Sequence, residues 1–428
     1  MDYTRLGESL THEELENGLQ VYILPKNDFR QTYACFTTHY GSLDQVFRDP
    51  ETREEVRMPD GIAHFLEHKM FEKEHGDVFR LFSRSGAQPN AYTSFDLTTY
   101  LFSCTSRVTE NITTLLDFVQ EPYFTDESVE REKGIIRQEL LMYQDNANRR
   151  AMYGLLGAYY GSSPLATPVG GTVESIEEIT KDDLYRCYRA FYHPGNMILF
   201  VVGRADVAEV LQLVTSNQEA KGFARRARPE HILPEGSARP EQKFTETRLA
   251  VAQPRVAFGF KQTDVPLSAR DRQVNEEATG IWMDALLGRG SPLFHKLVDD
   301  GLCDMGFGAD YELTSHYGYS MMGGNSRKPL ELAERVKDAL LAQCDSDFPE
   351  EAFLRTKRKA IGRFLGLLDS PQAIASLYTS LKLRDMDLFA TLDVLQELTV
   401  ADVQNAMRSH VLEDQFASSV VWPSGAQA

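Results

Sequence analysis

The chain lacks a long uninterrupted apolar segment, and its first residues lack the pattern of a signal peptide. A helix that spans a bilayer needs about 20 predominantly apolar residues, and no such run occurs in the 428 residues. The opening octapeptide, MDYTRLGE, has neither the basic start nor the apolar core of a secretory leader. We therefore expect no membrane association, and we expect the chain to stay where it is made, in the cytoplasm.

Cysteines are few, and no two of them are closely spaced. The chain has five, with no C-x-x-C pair: Cys35, Cys104, Cys187, Cys303 and Cys344. An odd and scattered set in a long chain argues against a disulfide framework and favours a reducing compartment. We expect buried, unpaired thiols rather than a cysteine-based metal site.

Positive charge is also in short supply. The chain has 45 Lys and Arg against 63 Asp and Glu, which gives a formal net charge of -18. Binding to nucleic acid or to an anionic membrane needs clustered positive charge. We therefore expect no nucleic-acid partner. The 42% hydrophobic and 25% charged residues are typical of folded globular domains.

A short repeat predicts that the chain arose by duplication. Residues 178–184 (EITKDDL) and 397–403 (ELTVADV) share the pattern Glu-aliphatic-Thr-x-x-Asp-aliphatic. In each copy the threonine stands where a helix N-cap is expected. A helix and an apolar strand follow both copies, the strands at 197–203 and about 416–422. The fold predicted is α+β, with two similar domains, each an antiparallel-rich sheet with helices packed on one face.

Local patterns give the limits of these domains and of some of their elements. Residues 222–243 are rich in proline, glycine and charge, and they indicate a linker between domains at 1–221 and 244–428. Further strands are predicted at 18–25, 32–38 and 98–104 from their β-branched and aromatic residues. Helices are predicted at about 60–71, 127–145, 147–160, 180–192 and 206–216.

One segment has the spacing of a metal site. Residues 61–68 read GIAHFLEH, after a helix start at Pro59-Asp60. His64 and His68 are four apart and project from one helix face, with Glu67 beside them. Two neutral imidazoles one turn apart can hold Zn²⁺, and a neighbouring carboxylate can accept a proton from water. On the motif alone, two surface histidines and a solvated glutamate on an amphipathic helix remain the alternative.

A catalytic zinc needs a third protein ligand, and the predicted helix 127–145 offers carboxylates. Glu132 and Glu139 are seven residues apart and share a face of this largely apolar helix. A buried carboxylate is costly unless it has a partner. Glu139 as a ligand and Glu132 as its supporting residue would meet that need. Periodicity alone leaves open that both are exposed.

Together these motifs resemble the pitrilysin/insulinase (inverzincin) family of zinc peptidases, in particular its bacterial YmfH-type members. The H-x-x-E-H motif is followed 71 residues later by Glu139, with Glu132 seven before it. The resemblance covers residues 15–205 strongly and the second half weakly. Its other segments are LENGLQV at 15–21, GAQPNAYT at 86–93, GTVESI at 171–176 and FYHPGNM at 191–197.

The resemblance implies roles for the residues that match the family's motifs. His64, His68 and Glu139 would hold one Zn²⁺ per chain in the N-terminal domain. Glu67 would be the general base that activates water, and Glu132 the supporting acidic residue of the catalytic set.

The resemblance also implies a peptide substrate that adds as a strand beside residues 86–93. Asn90, Ala91 and Tyr92 would lie on the strand that receives it, by β-augmentation. Without the family context, an ordinary half-buried strand is the better interpretation of these residues.

The second half departs from the family at one segment. Active members carry Leu-Arg-x-x-x-Gly-Leu-x-Tyr, whose Arg and Tyr act on the substrate carbonyl. Here Val298 stands in place of the Arg, and Cys303 and Asp304 stand where the Tyr falls. Some bacterial members divide the work between a zinc-bearing chain and a zinc-lacking partner chain that supplies the Arg/Tyr pair. The resemblance therefore implies such a heterodimer.

Three functions follow from these observations. The leading hypothesis is a zinc endopeptidase that cleaves peptides or small unstructured chains, as the catalytic subunit of a two-chain enzyme. The second is a scaffold or peptide-binding subunit without turnover. The third, a storage or regulatory zinc site, has less support.

Overall fold

The computed structural model describes residues 1–3, 5–50, 52–74, 76–232, 237–265 and 268–425. Short 3₁₀ turns lie at Pro164–Ala166, Pro194–Asn196, Leu388–Ala390 and Glu413–Gln415. The helices are α1 (Ile62–Met70), α2 (Phe79–Ser85), α3 (Val108–Gln120), α4 (Asp126–Gln144), α5 (Ala147–Tyr160), α6 (Val173–Glu178), α7 (Lys181–Phe191), α8 (Val207–Lys221), α9 (Ala269–Leu287), α10 (Pro292–Asp299), α11 (Pro329–Cys344), α12 (Glu350–Leu367), α13 (Pro371–Leu383), α14 (Thr391–Glu397) and α15 (Val400–His410).

The strands complete the secondary structure. They are β1 (Asp2–Tyr3), β2 (Glu8–Ser9), β3 (Thr11–Glu14), β4 (Gln20–Pro25), β5 (Thr32–Thr38), β6 (Val46–Arg48), β7 (Glu55–Arg57), β8 (Glu72–Lys73), β9 (Gly76–Asp77), β10 (Gln88–Thr93), β11 (Thr98–Cys104), β12 (Met197–Gly203), β13 (Phe244–Leu249), β14 (Arg255–Phe260), β15 (Gly308–Leu313), β16 (Gly318–Asn325) and β17 (Phe416–Pro423).

The chain forms two compact units, and each is built from three separate segments of the sequence. The first unit contains residues 1–140, 168–234 and 367–383, and the second contains 141–167, 235–366 and 384–428. The predicted domains, 1–221 and 244–428, were contiguous. The difference arises because α13 packs on β5 and β12 of the first unit, whereas α5 packs on β13, β14 and β17 of the second.

The predicted linker is divided between the units. Its residues 222–232 belong to the first unit and 237–243 to the second. His231 forms an ion pair with Asp44 of the first unit, and Lys261 of the second unit donates to the carbonyl of Ser237 at 2.7 Å. Pro234 and Gly236, which helped to indicate the linker, lie outside the described residues.

The first unit is built on a six-stranded sheet in the order β10-β11-β5-β12-β4-β3. β4 and β12 are parallel, and the other neighbours are antiparallel. One face supplies Val21, Phe36 and Leu199 to the main apolar core, which it shares with several helices. The other face is covered too, since Tyr22 and Phe200 contact the ring of Tyr378 on α13.

The second unit repeats this path in a five-stranded sheet, β13-β17-β14-β16-β15. Here β13 and β17 are parallel, and the other neighbours are antiparallel. Each strand has a counterpart in the first unit. In sheet order, β13, β17, β14, β16 and β15 correspond to β4, β12, β5, β11 and β10. α5 lies so close to this sheet that a Cβ on Gly154 would come 2.1 Å from Ser419 Oγ. The α+β fold and the duplication are therefore confirmed.

The repeat that predicted the duplication forms the same local structure twice. Thr180 caps α7 and Thr399 caps α15, and each side chain accepts a hydrogen bond from the backbone N–H three residues on. Asp183 and Asp402 return the contact by accepting from the backbone N–H of the capping threonine, at 3.1 and 2.8 Å. Both copies are capping boxes, which fix where these helices begin.

All five cysteines are free thiols. Four are buried, and Cys344 is partly exposed, in agreement with the expectation of unpaired thiols. Burial raises the pKa of Cys35 to about 11, which keeps this thiol protonated at neutral pH. Among the described residues, no helix combines the length and apolar character required to cross a membrane.

Candidate metal centre and active site

Helix α1 presents the motif because its other residues are buried in the core. Ile62, Phe65, Leu66 and Met70 are at most 2% exposed. Gly61, the residue that caps the start of α1, adopts a φ of 88° and approaches the 170–171 segment. A Cβ at this position would lie 2.4 Å from the carbonyl oxygen of Gly170, so only glycine fits. This fixed start sets which face of α1 carries the histidines.

Three predicted ligands come together on α1 and α4. His64, His68 and Glu139 each offer a ligating atom, and these atoms lie within 4.8 Å of one another. His68 Nε2 is 3.5 Å from Glu139 Oε2, and His64 Nε2 is 3.9 Å from Glu139 Oε1. Ligands of a tetrahedral Zn²⁺ at about 2.1 Å lie about 3.4 Å apart. The donor types and their spacing therefore fit a zinc ion.

Glu132 sits behind His68. Its Oε1 accepts a hydrogen bond from His68 Nδ1 at 3.0 Å, which leaves Nε2 facing Glu139. The sequence predicts Glu132 as a supporting residue of Glu139. In the structure its hydrogen-bond partner is the imidazole of His68. Such carboxylate–histidine pairs fix the tautomer and orientation of a metal-binding histidine.

The charges around His68 favour its protonated form in the metal-free site. Burial alone would lower the pKa of His68, but the hydrogen bond to Glu132 and the carboxylates of Glu67 and Glu139 outweigh it, so that the pKa is raised. A metal ion would therefore displace a proton from this ring on binding.

Glu67 lies beside the cluster without being part of it. Its side chain is buried, and its Oε2 accepts a hydrogen bond from Thr93 of β10 at 2.7 Å. Burial raises the pKa of Glu67, and the charge of Glu139 adds to this, while Thr93 and His68 act in the opposite direction. A buried carboxylate that does not ligate, next to a metal position, has the placement of a general base.

Two contacts at this site were missed by sequence reasoning. Thr93 lies in the segment 86–93, but within that segment the sequence predicted a role only for Asn90, Ala91 and Tyr92. Lys69 follows the motif directly and is fully buried. Its Nζ forms an ion pair with Glu72 and donates to the carbonyl of Ser128 at 3.3 Å. A lysine within an apolar helix face was the available signal, since a buried charge needs a partner.

The predicted substrate strand, β10, is an edge strand of the first unit's sheet. β10 carries Asn90, Ala91 and Tyr92 and pairs with β11. Along β10, exposed and half-buried residues alternate, and Tyr92 is 36% exposed. Asn90 Oδ1 accepts a hydrogen bond from the backbone N–H of Ala91 at 2.9 Å. An end strand of this kind can receive an extended peptide.

The segment that departs from the Arg/Tyr pattern lies in the second unit. Val298 is on α10, and the Asp304 carboxylate accepts from the backbone N–H of Gly306 at 2.7 Å. A cation and a phenol, Arg289 and Tyr311, flank this segment in the sequence. Arg289 donates to the carbonyl of Met305 at 3.1 Å, and Tyr311 donates to Asn275 Oδ1 at 2.9 Å. Both side chains are therefore engaged within the second unit.

Comparisons with known proteins identify the family to which the chain belongs. Residues 52–173 match the family model described as Insulinase (Peptidase family M16), and residues 178–360 match Peptidase M16 inactive domain. The chain is 41% identical over 423 residues to "Uncharacterized zinc protease YmfH" of Bacillus subtilis (strain 168), with 99% of each chain covered. The chain therefore belongs to the insulinase family of zinc peptidases, peptidase family M16.

Solved structures extend the likeness to the whole fold. A putative M16-like peptidase from Alicyclobacillus acidocaldarius is 39% identical, with a TM-score of 0.92 over 97% of this chain and 99% of that one. A protease from Helicobacter pylori is 19% identical with a TM-score of 0.81 over 97% of this chain and all of that one. The second likeness shows the fold alone.

Proposed function

We propose that this chain is a zinc-dependent endopeptidase that hydrolyses peptides or small unstructured chains. One observation carries the proposal: His64, His68 and Glu139 converge within 4.8 Å, next to the buried Glu67. Two imidazoles and a carboxylate leave a fourth position open on a tetrahedral Zn²⁺, as catalytic rather than structural zinc sites do. We propose one Zn²⁺ per chain.

The chain's own residues would divide the chemistry between them. When bound, Zn²⁺ would supply a Lewis acid that polarises water and the scissile carbonyl. Glu67 would take a proton from the attacking water as the water oxygen bonds to the carbonyl carbon. It would then return that proton to the leaving nitrogen as the C–N bond breaks. Glu132 would hold His68 in the tautomer that ligates.

The substrate would lie in extended form along β10. Backbone groups of Asn90, Ala91 and Tyr92 would pair with it, as in other cases of strand addition. The N–H of Ala91 is occupied by the Asn90 side chain, so this side chain would have to turn away when a peptide binds. Strand addition recognises the backbone of the peptide more than its side chains. This mode of binding would suit a peptidase that acts on unstructured chains.

We further propose that the chain is the zinc-bearing subunit of a two-chain enzyme. Val298, Cys303 and Asp304 offer neither a cation nor a phenol to a developing oxyanion. Loss of one oxyanion donor elsewhere costs about 10²–10³ in rate. A family-related partner without zinc would supply the missing Arg and Tyr, and the isolated chain would be weakly active.

The alternative is a scaffold or peptide-binding subunit without turnover. It is favoured by the match of residues 178–360 to the model described as the inactive domain, and by the same missing Arg and Tyr. The two functions differ in the need for Glu67, since binding alone uses no general base.

The test compares wild type with Glu67→Gln after both are loaded with zinc. We expect equal zinc content by elemental analysis and a loss of about 10²–10⁴-fold in peptide hydrolysis, because the amide cannot accept the proton. Both are assayed alone and with a family-related chain that has the Arg/Tyr segment and no H-x-x-E-H. Zinc-loaded wild type that binds peptides but never cleaves them, even with this partner, would establish the scaffold instead.

A further inference from the structure

We propose that Thr93 is a positioning residue for the general base. Its hydroxyl would hold the Glu67 carboxylate so that one oxygen is fixed and the other faces the attacking water. The proposal rests on the proposed role of Glu67 and adds a residue on a different element, the substrate strand β10.

The hydroxyl of Thr93 has one proton to donate and two possible acceptors, Thr98 and Glu67. Thr98 Oγ1 donates its proton to the carbonyl of Tyr40 at 2.8 Å, so it has none left for a neighbour. Thr93 Oγ1 lies 3.3 Å from Thr98 Oγ1 and 2.7 Å from Glu67 Oε2. The single proton of Thr93 therefore goes to the carboxylate, and this short contact is a charge-assisted hydrogen bond.

The donor is held firmly in place. Thr93 pairs with Thr98 in the β10–β11 ladder, and Thr98 is fully buried. A β-branched side chain has few rotamers open to it, so the hydroxyl direction follows from the strand. The Thr93 hydroxyl is thereby held towards the Glu67 carboxylate.

This arrangement gives the two carboxylate oxygens different tasks. Oε2 accepts from Thr93, whereas Oε1 remains for the proton of the attacking water. A carboxylate free to rotate about its last bond would spend part of its time misaligned, and small misplacements in such sites are costly in rate. Because β10 also receives the peptide in the proposed mechanism, docking of substrate and alignment of the base share one strand.

The kinetic test uses three variants of the full chain, loaded with zinc and supplied with its partner where activity requires one. Thr93→Val keeps the shape and removes the hydroxyl, and Thr93→Ser restores it. Thr37→Val is the matched control, since Thr37 is a buried strand threonine whose hydroxyl pairs with Thr99 at 2.9 Å. The readouts are kcat and KM for a peptide, and zinc content.

We expect Thr93→Val to lower kcat about 10- to 100-fold, as for the loss of a hydrogen bond to a charged group. KM and zinc content should stay at the wild-type level, and Thr93→Ser should recover most of kcat. Thr37→Val should keep the wild-type kcat. Unchanged kcat in Thr93→Val, or an equal loss in Thr93→Ser, would overturn the proposal.

Crystal structures of the zinc-free variants separate this proposal from the proposed function. In Thr93→Val the Glu67 carboxylate should take up other orientations, and in Thr93→Ser it should keep its position. If wild type shows no hydrolysis, the proposed function fails, while these structures still decide the positioning role. A Glu67 carboxylate that is unmoved in Thr93→Val would refute that role whatever the activity.

Discussion

The two units follow the same path, yet at corresponding places the first gathers two histidines and a glutamate that fit a metal ion, and the second gathers an ion pair. In the first unit, α1 precedes the end strand β10, and its histidines face Glu139 of α4. In the second unit, α9 precedes the end strand β15, and its Asp284 faces α12. Lys359 Nζ lies 2.7 Å from Asp284 Oδ1, and Arg363 lies 3.8 Å from the same oxygen.

Positions along the helices predict which single residues correspond. Glu139 is the fourteenth residue of α4, and Arg363 is the fourteenth of α12. If Asp284 takes the place of His68, then Gly280 stands for His64 and Met283 for Glu67. Gly280, Met283, Asp284 and Arg363 all line one cavity of about 570 Å³ in the second unit. On this alignment, G-x-x-M-D stands where the first unit has H-x-x-E-H.

This difference shows that the fold supplies the place and the side chains supply the chemistry. Each replacement acts against a metal. Gly280 and Met283 remove an imidazole and a carboxylate, and Arg363 brings a positive charge to the position of a ligand. The ion pair that remains is partly exposed, since Lys359 is 47% exposed, and such pairs contribute little to stability. The second unit therefore repeats the fold without the two imidazoles and the carboxylate of the first.

The largest expected effect comes from removing a ligand in the first unit. We expect His68→Ala to abolish stoichiometric zinc binding, because two ligands cannot hold Zn²⁺ as three do. Peptide hydrolysis should be lost with it. Elemental analysis after dialysis measures the metal. Asp284→Ala, the matched change in the second unit, should retain one zinc. Zinc retained in the first variant, or lost in the second, would contradict the assignment of sites.

A smaller effect is expected behind the ligands. Glu132→Gln should weaken zinc binding about 10- to 100-fold, the usual result of losing a carboxylate that orients a metal-binding histidine. The hydrogen bond from His68 Nδ1 to a neutral amide oxygen is weaker and orients the ring less firmly. Competition with a chromophoric chelator measures the affinity. Thr356→Ala is the control, since Thr356 is the seventh residue of α12 as Glu132 is of α4. Equal losses in both variants would point to general destabilisation.

Much of this site could be predicted from the sequence, because local spacing carries it. The strands at 32–38, 98–104 and 197–203 have the predicted bounds, since buried strands carry β-branched and aromatic residues throughout. His64, Glu67 and His68 lie on one short helix, so the helical period alone places them on a common side. Glu139 was within reach because it shares a face with Glu132.

What escaped prediction depends on contacts between distant segments. The sequence does not show that α5 packs in the second unit and α13 in the first, since an amphipathic helix can pack on either sheet. Thr93 meets Glu67, and Lys69 meets Ser128, across 26 and 59 residues of sequence. The contact of Glu132 with His68 was not predicted for the same reason: periodicity gives the face of a helix but not the residue opposite it.

A third prediction rebuilds the lost site. The triple variant Gly280→His, Asp284→His and Arg363→Glu should restore two imidazoles and a carboxylate on α9 and α12. A Cβ on Gly280 meets no atom within 4 Å, so a side chain fits there. We expect a second Zn²⁺ per chain, bound more weakly than the first because Thr356, at the helix position that Glu132 has in α4, offers the new histidine no carboxylate. Isothermal titration counts the sites. A count that stays at one would break the residue-by-residue correspondence.

The smallest expected effect concerns acid stability in the second unit. His410 on α15 is fully buried, and burial lowers its pKa to about 3. Its Nδ1 donates to Gln262 Oε1, and its ring lies beside those of Trp282 and Tyr311. In the unfolded chain the same ring would titrate at about 6.5. Between these values the unfolded state binds more protons at this residue, so the contribution of His410 lowers the free energy of unfolding as the pH falls from about 6.5 towards 3.

A variant can isolate this contribution. His410→Asn keeps a donor towards Gln262 but does not titrate, so its free energy of unfolding should depend less steeply on pH, by up to about 1.4 kcal/mol per pH unit. The variant should also be less stable at pH 7, because asparagine fills less of the core. Urea unfolding at pH 7, 6, 5 and 4 gives the slopes, followed by a probe in the second unit such as Trp282 fluorescence. His295→Asn, a change at an exposed histidine of the same unit, serves as the control for replacing a histidine outside the core. If His410→Asn has the slope of wild type, then acid sensitivity of the second unit comes from other groups, and the buried imidazole is not what makes this unit respond to acid.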